Sequence, residues 1–126
     1  MGEFMIAKKI PNSRISPELA SRILRTVALP EAFLFFTDIG QYTCEFAPCL
    51  AGFLEKLEKV PLKSIDFHFE RGDFERWIRE TLGDGCLADE MSKIDRTVLG
   101  EELRASIQTV VEKRLEELKI AAMTET

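Results

Sequence analysis

The residue pattern predicts an α+β fold that is mostly α: five or six helices packed with one β-hairpin at about residues 32–46. Three observations predict it. Apolar side chains recur at three- and four-residue steps over most of the chain, the spacing of buried helix faces. Helix boundaries are marked by Ser16-Pro17, Gly72-Asp73 and Gly83-Asp84. The stretch from Ala32 to Phe46 holds the best hairpin signal. A chain of 126 residues, 45% of them hydrophobic, reads as one domain able to bury about two thirds of its unfolded surface without staples.

Met1-Gly2-Glu3-Phe4 precedes a second methionine and reads as a cloning scar. With the aperiodic stretch that follows and the turn at Pro11-Asn12-Ser13, it makes an arm over residues 1–15, ahead of a single domain at 16–120 and a frayed tail at 121–126. Ser16 is expected as an N-cap with Pro17 at the first helical position, where a missing amide costs nothing. Leu19, Ile23, Leu24 and Val27 then form the buried face of a helix that ends before Pro30. Two short runs, Ala32–Phe36 and Tyr42–Phe46, flank the turn Thr37-Asp38-Ile39-Gly40. A two-stranded ribbon is marginal in water, so its apolar face must lie on helices.

Pro48 is expected to open the next helix, whose stripe is Leu50, Phe53, Leu54 and Leu57. Leu62–Phe69 is ambiguous. Ile65, Phe67 and Phe69 alternate with Asp66 and His68 as a strand would, whereas Leu62, Ile65 and Phe69 fit a helix opened by Pro61. The helix is preferred because Gly72-Asp73 then closes one helix, through a left-handed glycine, and caps the next through a carboxylate. Helices follow over Arg71–Leu82, with Phe74, Trp77, Ile78 and Leu82 facing in, and over Asp84–Ile94, with Leu87, Ala88 and Met91 facing in. A last helix, from about Leu99 to Ile120, carries a continuous stripe of Leu103, Ile107, Val110, Val111, Leu115 and Leu118.

The segment from Phe67-His68 through Arg71-Gly72-Asp73-Phe74, Trp77-Ile78 and Leu82-Gly83-Asp84 to Leu87-Ala88, together with Gly100-Glu101-Glu102-Leu103-Arg104, resembles a family of small uncharacterised prokaryotic proteins, a domain-of-unknown-function family. The resemblance covers roughly Ser16 to Lys119 and implies no activity, cofactor or catalytic residue. Its relatives more often carry charged residues where this chain has Gly85-Cys86.

Charge limits the partners. Residues 1–30 hold a net of +3 and the remainder −8, within a total of −5, so an acidic body would repel a phosphate backbone and nucleic acid is not expected as a partner. No apolar run approaches the ~20 residues that cross a bilayer. Three cysteines without a secretory signal point to reduced thiols in the cytoplasm.

Chemistry is sparse. Cys44, Cys49, Cys86 and His68 are the right types for zinc but lack the close pairing of zinc knuckles, so no metal is expected and the thiols read as buried or half-buried small hydrophobes. Phosphate-cradling glycine loops, serine elbows and metalloprotease helices are missing from the sequence, and no cofactor is expected. His68, the only histidine, reads as a structural hydrogen-bond or ion-pair partner at the helix junction. Arg71-Gly72-Asp73 spells an adhesion tripeptide only by coincidence, since that role needs an exposed extracellular loop.

These residues point to a non-catalytic protein-interaction or regulatory module. Its expected contact surface is the last helix, through Ile107, Val111, Leu115 and Leu118, with a partner protein or a second copy of the chain. The same stripe also fits the monomer's own core. The alternative function is a small-ligand binder or enzyme with a pocket near residues 66–77, using Tyr42, His68, Arg71, Asp73 and Trp77.

Overall fold

The computed structural model describes residues 15–123, and the expected arm, cloning scar and Pro11-Asn12-Ser13 turn lie outside the described residues apart from Ile15. Helix α1 (Pro17–Leu24) is capped by Ser16, whose Oγ accepts from the Leu19 amide at 3.0 Å. It buries Ala20 and Ile23. Leu19, expected inside, is 38% exposed, and the helix stops at Leu24, short of Pro30. The chain then straightens, and the Val27 amide donates to the Pro48 carbonyl at 2.8 Å, which ties this connection to the far end of the hairpin.

A short 3-10 turn, Leu29–Glu31, leads into β1 (Phe33–Asp38), which pairs antiparallel with β2 (Gln41–Ala47). The hairpin therefore sits within about a residue of its expected place. Phe33, Phe35 and Ala47 are buried on the inner face. The register slips at two points, and at one of them the bulge puts Cys44 in the left-handed region at φ 72°. Thr43 fills that bulge: its hydroxyl donates to the Phe35 carbonyl at 2.7 Å and accepts from the Glu45 amide at 3.1 Å.

Helix α2 (Leu50–Lys59) is capped by Cys49, whose Sγ accepts from the Gly52 amide at 3.4 Å, so the cap falls one residue after the proline expected to open it. Residues 62–71 are helical: α3 (Leu62–Arg71) ends on Gly72 at φ 75°. Helix α4 (Asp73–Arg76) continues as a π-helical turn over Trp77–Leu82 and ends on Gly83 at φ 85°. With hydrogen bonds spanning five residues, the wider turn brings Leu82 closer to the side of Trp77 than α geometry would. Trp77, Ile78 and Leu82 are all buried.

Helix α5 (Gly85–Ser92) is capped by Asp84, as the glycine-aspartate pair predicts, with the Leu87 amide donating to Oδ1 at 3.1 Å. Helix α6 (Gly100–Met123) runs beneath α1, α2 and α3 and closes the core. Residues 121–123, expected to fray, complete this helix. Arg104 on α6 donates to the Leu57 and Glu58 carbonyls at 3.0 and 2.7 Å, which satisfies the C-terminal end of α2.

Ile107, Val111 and Leu118 are completely buried and Leu115 is nearly so. The stripe expected as a contact surface lies in the domain's own core, because α1, α2, α3 and α5 need an apolar face to pack on. A partner helix would have to displace them.

Candidate functional site

The α3–α4 junction gathers the polar side chains around β1. Gly72 turns the backbone sharply, and that brings Asp73 back beneath the last turn of α3. Asp73 does not cap a helix amide as expected. Its carboxylate takes three side-chain partners instead: His68 Nδ1 at 2.8 Å, Arg71 Nε at 3.0 Å and Arg76 Nη1 at 2.9 Å.

His68 is 4% exposed and stands among the rings of Phe33, Phe67 and Phe74 at centroid distances of 4.8, 5.0 and 5.5 Å. Its Nε2 accepts the backbone N–H of Phe36 at 2.8 Å. That contact assigns the tautomer. An Nε2 that accepts carries no proton, so Nδ1–H donates to Asp73 and the imidazole is neutral. Burial among rings is the main influence that holds the imidazole pKa below its ordinary value, and the pull of Asp73 in the other direction does not overcome it. Burial pushes the Asp73 carboxyl up, but the hydrogen bonds from His68, Arg76 and Arg71 together outweigh it and hold the group below the usual carboxylate range.

A cavity of about 470 Å3 opens beside this junction, between β1, the end of α3 and the π-helical turn. Four of the five expected ligand-binding residues line it: His68, Arg71, Asp73 and Trp77. Tyr42 does not. It lies on the outer face of the hairpin, 42% exposed, with its ring 5.3 Å from that of Phe36. Trp77 donates its indole N–H to the Glu31 carbonyl at 2.8 Å. The hydrogen-bonding atoms of His68, Asp73 and Trp77 are therefore already engaged. Among the described residues Arg71 bonds through Nε alone, and it stacks over the Phe67 ring at 5.0 Å.

Sequence reasoning missed the Phe36 amide, Arg76 and a second buried pair. Asp84 is 1% exposed and meets Arg114 through two bonds, Nε to Oδ2 at 2.8 Å and Nη2 to Oδ1 at 2.9 Å. Asp84 could be read from the sequence as a cap. Arg114, thirty positions later, carries no local signal of its role.

Cys44 and Cys86 are exposed and Cys49 half-buried, so two of the three thiols lie farther out than expected. Among the described residues no group of three or more His, Cys, Asp or Glu side chains is placed to hold a metal ion, and no helix is long and apolar enough to cross a membrane.

Fold and site together define a mostly helical α+β domain built around a hairpin that a buried histidine–aspartate pair fastens to its helices. The model of a family of unknown function, DUF5752, matches residues 30–126, and the chain belongs to that family. The match begins after α1, later than the resemblance drawn from Ser16 onward. Neither a curated protein nor a solved structure matches the chain.

Proposed function

We propose that the protein is a non-catalytic interaction module whose contact surface is the outer face of the hairpin. The observation that carries this reading is an apolar ladder left open to solvent: Leu34, Tyr42 and Phe46 are each about 40% exposed, and Ile39 at the turn is 72% exposed. Leu34 stands opposite Phe46, and Phe36 opposite Tyr42, so these side chains form one continuous patch. Contiguous apolar surface of this kind marks contact sites in a folded domain. The junction behind it supports the same reading, since a neutral histidine with both nitrogens bonded is not poised to accept a substrate proton.

The partner is a protein rather than nucleic acid, in keeping with the net charge of −5. Three unpaired thiols suit the cytoplasm. The test compares partner capture from a cell extract by the wild type and by Phe46→Glu and Tyr42→Glu, each verified as folded by its thermal transition. Loss of specific partners in both variants is expected, and an unchanged set of partners refutes the reading. Light scattering of the wild type over a range of concentrations shows whether the partner is a second copy.

A second reading, small-ligand binding, is favoured by one observation: the cavity gathers Arg71, Asp73 and Trp77 on an apolar floor. A small molecule that raises the melting temperature, with Arg71→Ala abolishing the shift, would give it precedence.

A further inference from the structure

We propose that the cavity beside β1 is a strand-addition site, which takes an extended peptide segment along the free edge of β1 with an acidic side chain held by Arg71. This rests on the interaction-module reading and names the kind of partner.

The backbone of β1 shows which groups are free. The Phe35 carbonyl accepts from Thr43 of β2, while the N–H of the same peptide unit, that of Phe36, points the opposite way to His68. Strand geometry repeats every two residues, and β1 pairs in step with β2 from Phe33 to Phe35, the extra residues of the following shift, Thr43 and Cys44, lying on β2. The N–H and C=O of Leu34 therefore face the same free edge as the Phe36 N–H. At Phe36 a side chain stands where a third strand would, since His68 accepts its N–H; the Trp77 indole, bonded to the Glu31 carbonyl, bounds the cavity ahead of β1. No such side chain reaches the Leu34 backbone among the described residues, and the cavity opens there, lined by Ala32, Phe33, Leu34 and Phe36.

An unpaired donor and acceptor on an edge strand form a template for another chain. The helical wall opposite is formed by Arg76, Trp77, Glu80 and Thr81. The volume, about 470 Å3, lies within the ~300–1,000 Å3 range of ligand pockets and suits a few residues. Charge defines the ends. Arg71, its side chain half exposed, has two terminal nitrogens with no partner among the described residues, and a carboxylate accepts such a fork in parallel bonds. The Arg71 and Arg76 guanidinium groups offset the charge of Asp73, while Glu80, beside Thr81, is the acid on the helical wall of the cavity. The fitting segment is extended, acidic at the Arg71 end and basic at the Glu80 end.

The test is an NMR titration of the full chain with two capped peptides, acetyl-Asp-Val-Thr-Val-Lys-amide and its reverse, acetyl-Lys-Val-Thr-Val-Asp-amide. One of them is expected to bind saturably, shifting the Leu34 amide and slowing its exchange several-fold; which one does so reports the strand direction. N-methylation of alternate peptide nitrogens should abolish binding, and Arg71→Glu should weaken it about tenfold. Binding that survives N-methylation, or no response at Leu34 to either peptide, overturns the proposal. A Leu34 amide already protected in the free protein would also overturn it: protection lost on deleting residues 1–14 would make the arm the occupant, and protection that grows with protein concentration would make it a second copy. Capture lost in Phe46→Glu with no peptide response refutes this inference and leaves the outer-face reading standing.

Discussion

His68 joins three parts of the molecule through one ring: α3, which carries it, β1, whose Phe36 amide it accepts, and the junction, whose Asp73 it serves as donor. Protonation would place an N–H against an N–H at Phe36. Since burial holds the imidazole pKa below its unfolded value, the unfolded chain binds the proton more readily. The contribution is complete above about pH 6.5 and is lost as pH falls through the lower folded-state pKa. Asp73, also held below its ordinary range, adds a further loss in more acidic solution, below about pH 4. The melting temperature should fall on acidification from about pH 7.5 to about pH 5, and His68→Gln should flatten this part of the profile. An identical slope in the variant would refute the assignment of the neutral tautomer. The second buried pair calls for a different test. Arg114→Met leaves the Asp84 carboxylate without its cation and should cost about 3–5 kcal/mol in denaturant unfolding. Asp84→Asn, which still caps α5, should cost less.

The helix junctions show how local and distant demands combine in one element. Gly72 and Gly83 both adopt the left-handed conformation that their place past a helix end predicts. At Gly83 an added Cβ would meet nothing within 4 Å, so the cost of Gly83→Ala is conformational alone. About 1 kcal/mol of stability should be lost in urea unfolding, and no loss would show that the turn relaxes. Asp73 and Asp84 follow their glycines identically in sequence but have different roles. Asp84 caps a helix, whereas the carboxylate of Asp73 is drawn away by His68, Arg71 and Arg76, partners that the local motif cannot announce. The π-helical turn is equally silent in the sequence. Phe74, Trp77, Ile78 and Leu82 fit an α-helical face well enough to be read as one, and all four are buried in the π-helical form as well. The 62–69 segment was ambiguous for a related reason, since a short apolar run satisfies both periods.

Across the whole molecule, α6 is the floor on which α1, α2 and α3 rest. Val111 is fully buried at its middle, so Val111→Glu should abolish cooperative thermal unfolding, a loss of at least ~4 kcal/mol, instead of separating subunits. A well-folded Val111→Glu protein would show that the stripe is not essential to the monomer's core. The hairpin carries a cluster of exposed apolar side chains, Leu34, Ile39, Tyr42 and Phe46, since two strands are too few to cover both their faces and both their edges.

Periodicity and boundary residues by themselves determined that the chain is mostly helical, where its hairpin lies, that α3 ends on Gly72, and that Phe74, Trp77 and the α6 stripe are apolar faces in need of cover. These are short-range properties, set by backbone preferences and the spacing of side chains along one element. Tertiary structure alone decided what provides that cover. It turned the α6 stripe into core, and paired His68 with an amide thirty-two residues away and Asp84 with a guanidinium thirty residues away. Those outcomes depend on which elements meet in space, and a burial energy common to all apolar faces carries no address.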